Sequence, residues 1–332
     1  MQKGKVLHLL LKFKNEKLAS GSDTITEHKR IAEEEGRLIW GHSSSKETKL
    51  MSDKSRELYR NQFSKGLDTY CFFLTNIKGE QELYVGKLSE IYFRGEIIST
   101  SPLKKFIPSY YAGDVGMGFP ADKNNTLVDV SNFFKVDSKY VSSIKVESSG
   151  KDFTSDVGRS SLFYVNIDGD LEKLLIELLS NPEAKFQYEV EQEDVPDDVT
   201  VEDKPKDKPS KTSGSSTGSY KRDLKTSKTA IVTAKYKCEI DATHEDFISR
   251  VTGENYVEAH HLIPMEYQDD FDNSIDVKAN IVSLCVGCHK KVHHATYSVI
   301  EPLIEKLYDD RIDRLKDCDI GLTKHKFLNY YK

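Results

Sequence analysis

A chain of 332 residues, 37% hydrophobic and 31% charged, is long for one compact core, and its length points to two domains and a linker. No run approaches the ~18 apolar residues a membrane span needs. A net charge of −6 argues against holding nucleic acid by bulk electrostatics, while leaving room for a local basic groove.

In chain order, residues 4–12 (GKVLHLLLK) read as a buried strand. Lys12 and Lys14 cut the apolar run and no small-residue cleavage site follows, so a strand is expected rather than a secretory signal. A turn at 19–23 precedes a polar helix over 26–36, closed by Gly36. The strand 37–42 carries the single tryptophan, Trp40. A surface helix is expected over 52–65. Residues 68–76 and 81–94, rich in β-branched and aromatic side chains, are expected to pair as a hairpin about Lys78-Gly79. Strands are expected over 127–136, 141–147 and 161–167. Asp168-Gly169-Asp170 then opens a helix over 171–180 with Leu171, Leu174, Leu175 and Leu178 on one face. Residues 1–186 are expected to form one α+β recognition or sensor domain on a curved, mostly antiparallel sheet.

From 187 to 228 the composition shifts: acidic to 203, Lys/Pro over 204–209, Ser/Gly/Thr-rich over 210–219. So few apolar side chains cannot offset the entropy of ordering, and a disordered linker is expected. Its acidic part could compete with DNA for basic surface, a plain spacer being the favoured reading. The second domain, 229–332, is expected to begin with a strand over 230–235 that delivers Cys238. A helix follows over 297–308 with Pro302 in its first turn, and then a tail whose Phe327, Tyr330 and Tyr331 pack back on the domain.

The chemistry concentrates in that domain. Six of the ten histidines lie between His244 and His294, and Cys238, Cys285 and Cys288 frame them. Such crowding of nitrogen and sulfur donors is what a metal site requires. The remaining cysteines, Cys71 and Cys318, make no disulfide framework, so reduced thiols and a cytoplasmic location are expected. His289 and His293, four residues apart, share a helix face, and His294 points away from it.

The run Glu258-Ala259-His260-His261-Leu262-Ile263-Pro264, then Asn280 in ANIVSL, then Cys285 to His293 (CVGCHKKVH), resembles the HNH or ββα-metal endonuclease family over about 238–294. The resemblance implies a DNA-cutting phosphodiester hydrolase using Mg²⁺ or Mn²⁺. Carried over, His260 and His289 are ligands of the catalytic ion and His293 is a second ligand on the same helix. His261 is the general base, a role an imidazole near its ordinary pKa of ~6.5 suits. Asn280 braces the loop or orients the base. Many relatives hold a structural zinc with two CxxC pairs. Here Asp241 stands where the second upstream cysteine is expected, so a Cys3His site of Cys238, His244, Cys285 and Cys288 is the reading, with Asp241 as fallback. A zinc module that binds DNA without cutting would need only those four residues, not the ordered histidines and Asn280.

Trp40-Gly41, the stretch around Tyr84-Val85-Gly86-Lys87, Pro108 to Tyr111, Phe133-Phe134-Lys135 and Ser161 to Val165 resemble PUA-like domains of the EVE kind. These are small barrels whose aromatic pockets read modified bases. The resemblance implies a modified-base site walled by Trp40, Tyr110 and Tyr111, against the plainer reading that these aromatics are sheet core. Together the two resemblances imply a modification-dependent, type IV-like restriction or anti-phage nuclease acting on double-stranded modified or phage DNA. A homodimer is expected, since one such site cuts one strand. A nuclease effector triggered when the first domain senses a phage protein or small nucleotide is the alternative.

Overall fold

The computed structural model describes residues 6–44, 47, 51–77, 79–199, 202–209 and 220–332. The chain is α+β and divides into two compact units, with the boundary between Ser180 and Asn181.

The first unit runs β1 (His8–Lys12), α1 (Thr24–Glu35), β2 (Arg37–Ser43), α2 (Asp53–Ser64), β3 (Tyr70–Ile77), β4 (Glu80–Phe93), α3 (Ser109–Ala112), β5 (Asn124–Val136), β6 (Ile144–Val146), β7 (Leu162–Ile167) and α4 (Gly169–Ser180). Its seven strands are ordered β2-β5-β4-β3-β1-β7-β6. Among the described residues, only β1 and β3 pair in parallel. The apolar run Leu9-Leu10-Leu11 explains why β1 lies inside the sheet: all three side chains are fully buried, as a strand covered on both faces demands. Leu10 stands between Phe72 of β3 and Phe163 of β7.

Local signals set the ends. The Asp23 side chain accepts the Thr26 N–H at 2.9 Å to start α1, and Gly36, at φ 67°, turns the chain out of it. The expected β3–β4 hairpin is present, in register from Tyr70 opposite Lys87 to Ile77 opposite Glu80. Gly79 lies in its turn at φ 95°, while Lys78 lies outside the described residues. The strand expected over 141–147 is shorter, because Asp137 caps a 3-10 turn over Ser138–Ser143. The barrel is not what forms. The sheet is open with β2 and β6 at its edges, and among the described residues no pairing joins those two strands.

The second unit runs α5 (Pro182–Gln192), α6 (Leu224–Thr233), β8 (Glu258–His261), β9 (Ile281–Leu284), α7 (Val286–His294), α8 (Tyr297–Asp317) and α9 (Lys324–Asn329). The β8–β9 hairpin has two clothed faces. Ala259 and Ile281 pack with Phe186, Val190 and Ile231 of α5 and α6. Val282 and Leu284 join the larger core with Ile304 and Leu307 of α8 and with Phe327. Tyr330 and Tyr331 pack against that core, as the aromatic tail led one to expect. No helix among the described residues is long and apolar enough to cross a membrane.

Three sequence expectations differ here. Residues 230–235 are not a strand: the Asp223 side chain caps the N-terminus of α6, and burial against α5 and the hairpin outweighs the β-branched content. Pro302 sits in the second turn of a helix that continues to Asp317. The stretch read as linker carries part of α5, whose Gln187 side-chain amide makes both hydrogen bonds to the Ala259 backbone, at 2.8 and 2.9 Å. Residues 202–209 form a strap on the same unit. The Lys206 carbonyl accepts the Ser274 N–H at 2.8 Å, Lys208 donates to the Phe271 carbonyl, and Asp203 takes Arg314 in two bonds. Composition counts apolar burial, whereas backbone and ionic pairing order this strap. The Ser/Gly-rich 210–219 lies outside the described residues.

Candidate metal centres

The first cluster gathers Cys238, His244, Cys285 and Cys288, whose donor atoms all lie within 4.8 Å of one another. A tight turn holds the upstream pair: Asp241 accepts from the Thr243 N–H and hydroxyl at 2.9 and 2.7 Å, and the His244 N–H reaches the Asp241 carbonyl. The downstream pair is the start of α7, where Cys285 Sγ accepts the Cys288 N–H at 3.4 Å. His244 Nδ1 lies 3.6 Å from Cys285 Sγ and 3.4 Å from Cys288 Sγ. A tetrahedral zinc with ~2.0 Å bonds to nitrogen and ~2.3 Å to sulfur puts such atoms ~3.5 Å apart. Asp241 stands behind the imidazole, its carboxylate 3.7 Å from Nε2. Burial, and then the neighbouring thiols, push Cys288 up to about 12, and burial raises Cys285. At Cys238 burial is outweighed by hydrogen bonds from the Cys285 and Asp241 backbone and from His244, which lower it. Three thiols and an imidazole at these distances form a donor set that fits zinc.

The second cluster is three imidazoles, His260, His289 and His293, with donor atoms again within 4.8 Å of one another. Alternation along β8 builds it. Glu258 and His260 point toward α7 and His261 the other way. His289 and His293, one turn apart on α7, bring their Nε2 atoms to 3.1 Å. The His260 ring centroid is 5.2 Å from that of His289 and 4.9 Å from that of His293. Glu258 accepts from His289 Nδ1 at 2.5 Å, which fixes the tautomer and leaves Nε2 facing the cluster. Burial, then the neighbouring imidazoles, hold His260 well below the ordinary imidazole range and lower His293 too. Both are therefore neutral at pH 7, the form that donates to a metal. The donor set fits a divalent ion.

His261 projects from the opposite face of β8, beside the Phe186 ring. Its Nε2 lies 2.9 Å from Asp276 Oδ1, with both side chains about 95% buried. The other oxygen of Asp276 accepts the Asp223 N–H at 2.6 Å. His261 nonetheless borders the same cavity as the three imidazoles, a space of about 750 Å³. Asn280, fully buried, accepts the Ile263 N–H at 2.7 Å and donates to the carbonyls of Ile263 and Ile275. It ties the two ends of the β8–β9 loop together.

Some residues at this site were not anticipated. Glu258 could have been found, since two residues before His260 on a strand is the same face. Asp276, Tyr331 and Arg222 carry no local signal. The Tyr331 hydroxyl lies 3.2 Å from His260 Nε2 and donates to the Leu262 carbonyl. Arg222 borders the cavity, pairs with Glu183 at 2.7 Å, and lies 3.6 Å over the Phe186 ring.

In the first unit, Trp40, Tyr110 and Tyr111 do not stand as three open walls. Trp40 is 4% exposed, stacked at 3.5 Å on His28 and packed against Phe13 and Phe73. The Tyr111 hydroxyl accepts the Gly41 N–H at 3.0 Å and donates to the Ile39 carbonyl. A Cβ at position 41 would come within 2.9 Å of the Tyr111 ring. The faces of both rings are thus taken by protein, because the edge strand β2 turns Trp40 into the core with Phe73 and Phe133 and takes the Tyr111 hydroxyl on its backbone. Tyr110 alone is open, at 46% exposure.

No protein-family model matches this chain, and no curated protein matches it. Among solved structures it is similar to the type IV phosphorothioation-dependent restriction endonuclease ScoMcrA, at 12% identity over 83% of this chain and a TM-score of 0.24. The chain spans 46% of the length of that enzyme, and a likeness of that size says nothing about fold or activity.

Proposed function

We propose that the second unit is a divalent-metal-dependent phosphodiester hydrolase of the HNH kind that cuts double-stranded DNA. The observation that carries this is the division of labour along one strand. His260 joins His289 and His293 in a three-imidazole donor set, while its neighbour His261 is held by a buried carboxylate and opens on the same cavity. A bound Mg²⁺ or Mn²⁺ would neutralise charge on the phosphate and on the departing 3′-oxygen. With Nε2 of His261 committed to Asp276, Nδ1 is the nitrogen that takes the proton from the attacking water. Arg222, fixed by Glu183 and Phe186, brings a permanent positive charge to the same space. Zinc at Cys238, His244, Cys285 and Cys288 holds the start of α7 in place.

We assign target choice to the first unit and read the whole as a modification-dependent restriction or anti-phage nuclease. The test is cleavage of matched phage DNAs, unmodified and carrying methylated, hydroxymethylated or glucosylated cytosine, with Mg²⁺ or Mn²⁺ and with His261→Ala as control. Cutting confined to one modified DNA supports the assignment. Equal cutting of all of them sinks modification dependence. Cutting only after extract from infected cells is added moves the first unit to the role of sensor.

A further inference from the structure

A second cavity, of about 540 Å³, opens in the second unit between the end of α6, the turn at Cys238–Ile240 and the outer side of α8. It shares no lining residue with the histidine cavity. Its rim is basic: Lys237, Lys278, Lys306, Arg311 and Arg314 line it, with Lys306 paired to Asp310, Arg311 to Glu239 and Arg314 to Asp203. The two arginines are held in place beforehand. Arg311, 6% exposed, pairs with Glu239 and donates to the Lys278 carbonyl at 3.2 Å, and Arg314 is clamped by Asp203. The positive charge is not fully offset. Burial lowers the Lys278 ammonium, and Arg314 and Arg311 lower it further against the pull of Asp203.

We propose that this cavity binds phosphate groups, those of a DNA strand engaged at the histidine site or of a free nucleotide. Arginines already oriented by carboxylates, with Lys237 exposed beside them and Lys306 held by Asp310 and the Glu239 carbonyl, are a donor set of the kind phosphate takes. The spacing favours the strand. Helix α8 carries Ile300 at the histidine cavity and Arg311 and Arg314 at this one, ~16 and ~21 Å along its axis. At ~3.4 Å per base pair, that is about five or six pairs of duplex. A duplex running beside α8, over its exposed Pro302 and Lys306 rather than the buried Ile304–Leu307 stripe, would offer phosphates to both cavities at once. The strand arm rests on the nuclease reading, whereas the nucleotide arm does not.

The test uses the full chain carrying His261→Ala, so that binding is read without cutting. Anisotropy of a labelled 30-base-pair duplex is followed against salt, and titration calorimetry is run with ATP and with pyrophosphate. Lys237→Glu with Lys306→Glu is compared with Lys173→Glu, a control on the first unit. Lys237→Gln with Lys306→Gln serves if the reversed pair does not fold, with melting and zinc content as the check. For the strand, the double variant should bind duplex about tenfold more weakly at 0.1 M salt, with the salt slope reduced by about 2. Binding of ATP or pyrophosphate that the double variant loses assigns the site to free nucleotides. Unchanged duplex affinity and slope, with no binding of either small phosphate, overturns the proposal. Unaltered affinity together with cutting by the native chain refutes this site alone. Duplex binding that depends on the two lysines, in a native chain that does not cut, refutes only the nuclease reading.

Discussion

In the first unit His8, His28 and His42 are buried one at a time, each with its own partner: the Tyr70 N–H, the Thr24 carbonyl and the Ser161 hydroxyl. In the second, His260, His289 and His293 are brought together around one point on the rim of a cavity. Basicity does not separate the two sets. Burial pushes His8 down to about 4 and His28 down to about 3, and it lowers His260 in the same way. A weakly basic histidine therefore reports only that the ring is desolvated. Convergence of donors and access to a cavity mark the site, and the lone histidines of the first unit are core side chains held one by one, with Nδ1 of His42 buried and unpartnered.

The comparison breaks first at His261. His261→Ala should slow DNA cutting by about 10³-fold or more with the melting temperature held, measured by nicking of a cleavable plasmid. A loss under tenfold would mean the base lies elsewhere. Cys288→Ser should release the zinc and lower the stability of the second unit by about 3–4 kcal/mol, read by metal content and denaturant melting. Retained zinc would remove Cys288 from the site.

Acid should act on the first unit through its lone histidines. Above pH 6.5 neither folded nor unfolded chain protonates His8. Between 6.5 and about 4 only the unfolded chain does, so stability falls as pH falls. The 2.5-unit depression of His8 alone corresponds to about 3 kcal/mol, and His28 extends the window to about 3. Melting of the first unit at pH 7.0, 6.0 and 5.5 would show it, above the range where carboxylates titrate, and a flat profile would contradict it. The smallest effect is at Asp276. Asp276→Asn should keep the fold but reverse the hydrogen-bond polarity at His261 Nε2, slowing cutting about 10²-fold. A rate equal to the native one would make the pair purely structural.

What the sequence discloses follows from how local each signal is. His260-His261 and His289-x-x-x-His293 are short-range patterns, and strand and helix periodicity convert them directly into faces. The thiol cluster is legible for the same reason at Cys285-x-x-Cys288; the sequence favours His244 as fourth donor with Asp241 as fallback, and only the structure shows Asp241 exposed and bonded to Thr243. Asp276 and Arg222 reach the site by tertiary packing from 15 and 39 residues away from His261, with no pattern to announce them. In the first unit β1, α1 and the β3–β4 hairpin follow from apolar runs and end signals. The open sheet does not, because strand order depends on which edges meet, and aromatic content cannot tell a core ring such as Trp40 from a pocket wall. Helix α6 defeats propensity outright: Thr229, Ile231, Val232 and Thr233 favour strand, yet capping by Asp223 and packing against Phe186 and Val190 make it helical.

Helix α7 spans nine residues, Val286–His294. Its first turn holds Cys285 and Cys288, and His289 is the very next residue. The two clusters are therefore read out along one ruler, and the sequence between them has no slack for insertions. One extra residue after Cys288 would leave all four thiol-cluster donors in place but swing His289 and His293 by about 100° around the helix axis, away from His260. Substitutions on the outer side of α7 can accumulate at Lys290 and Lys291, which are exposed, whereas a change of length at this point removes the imidazole cluster in a single event.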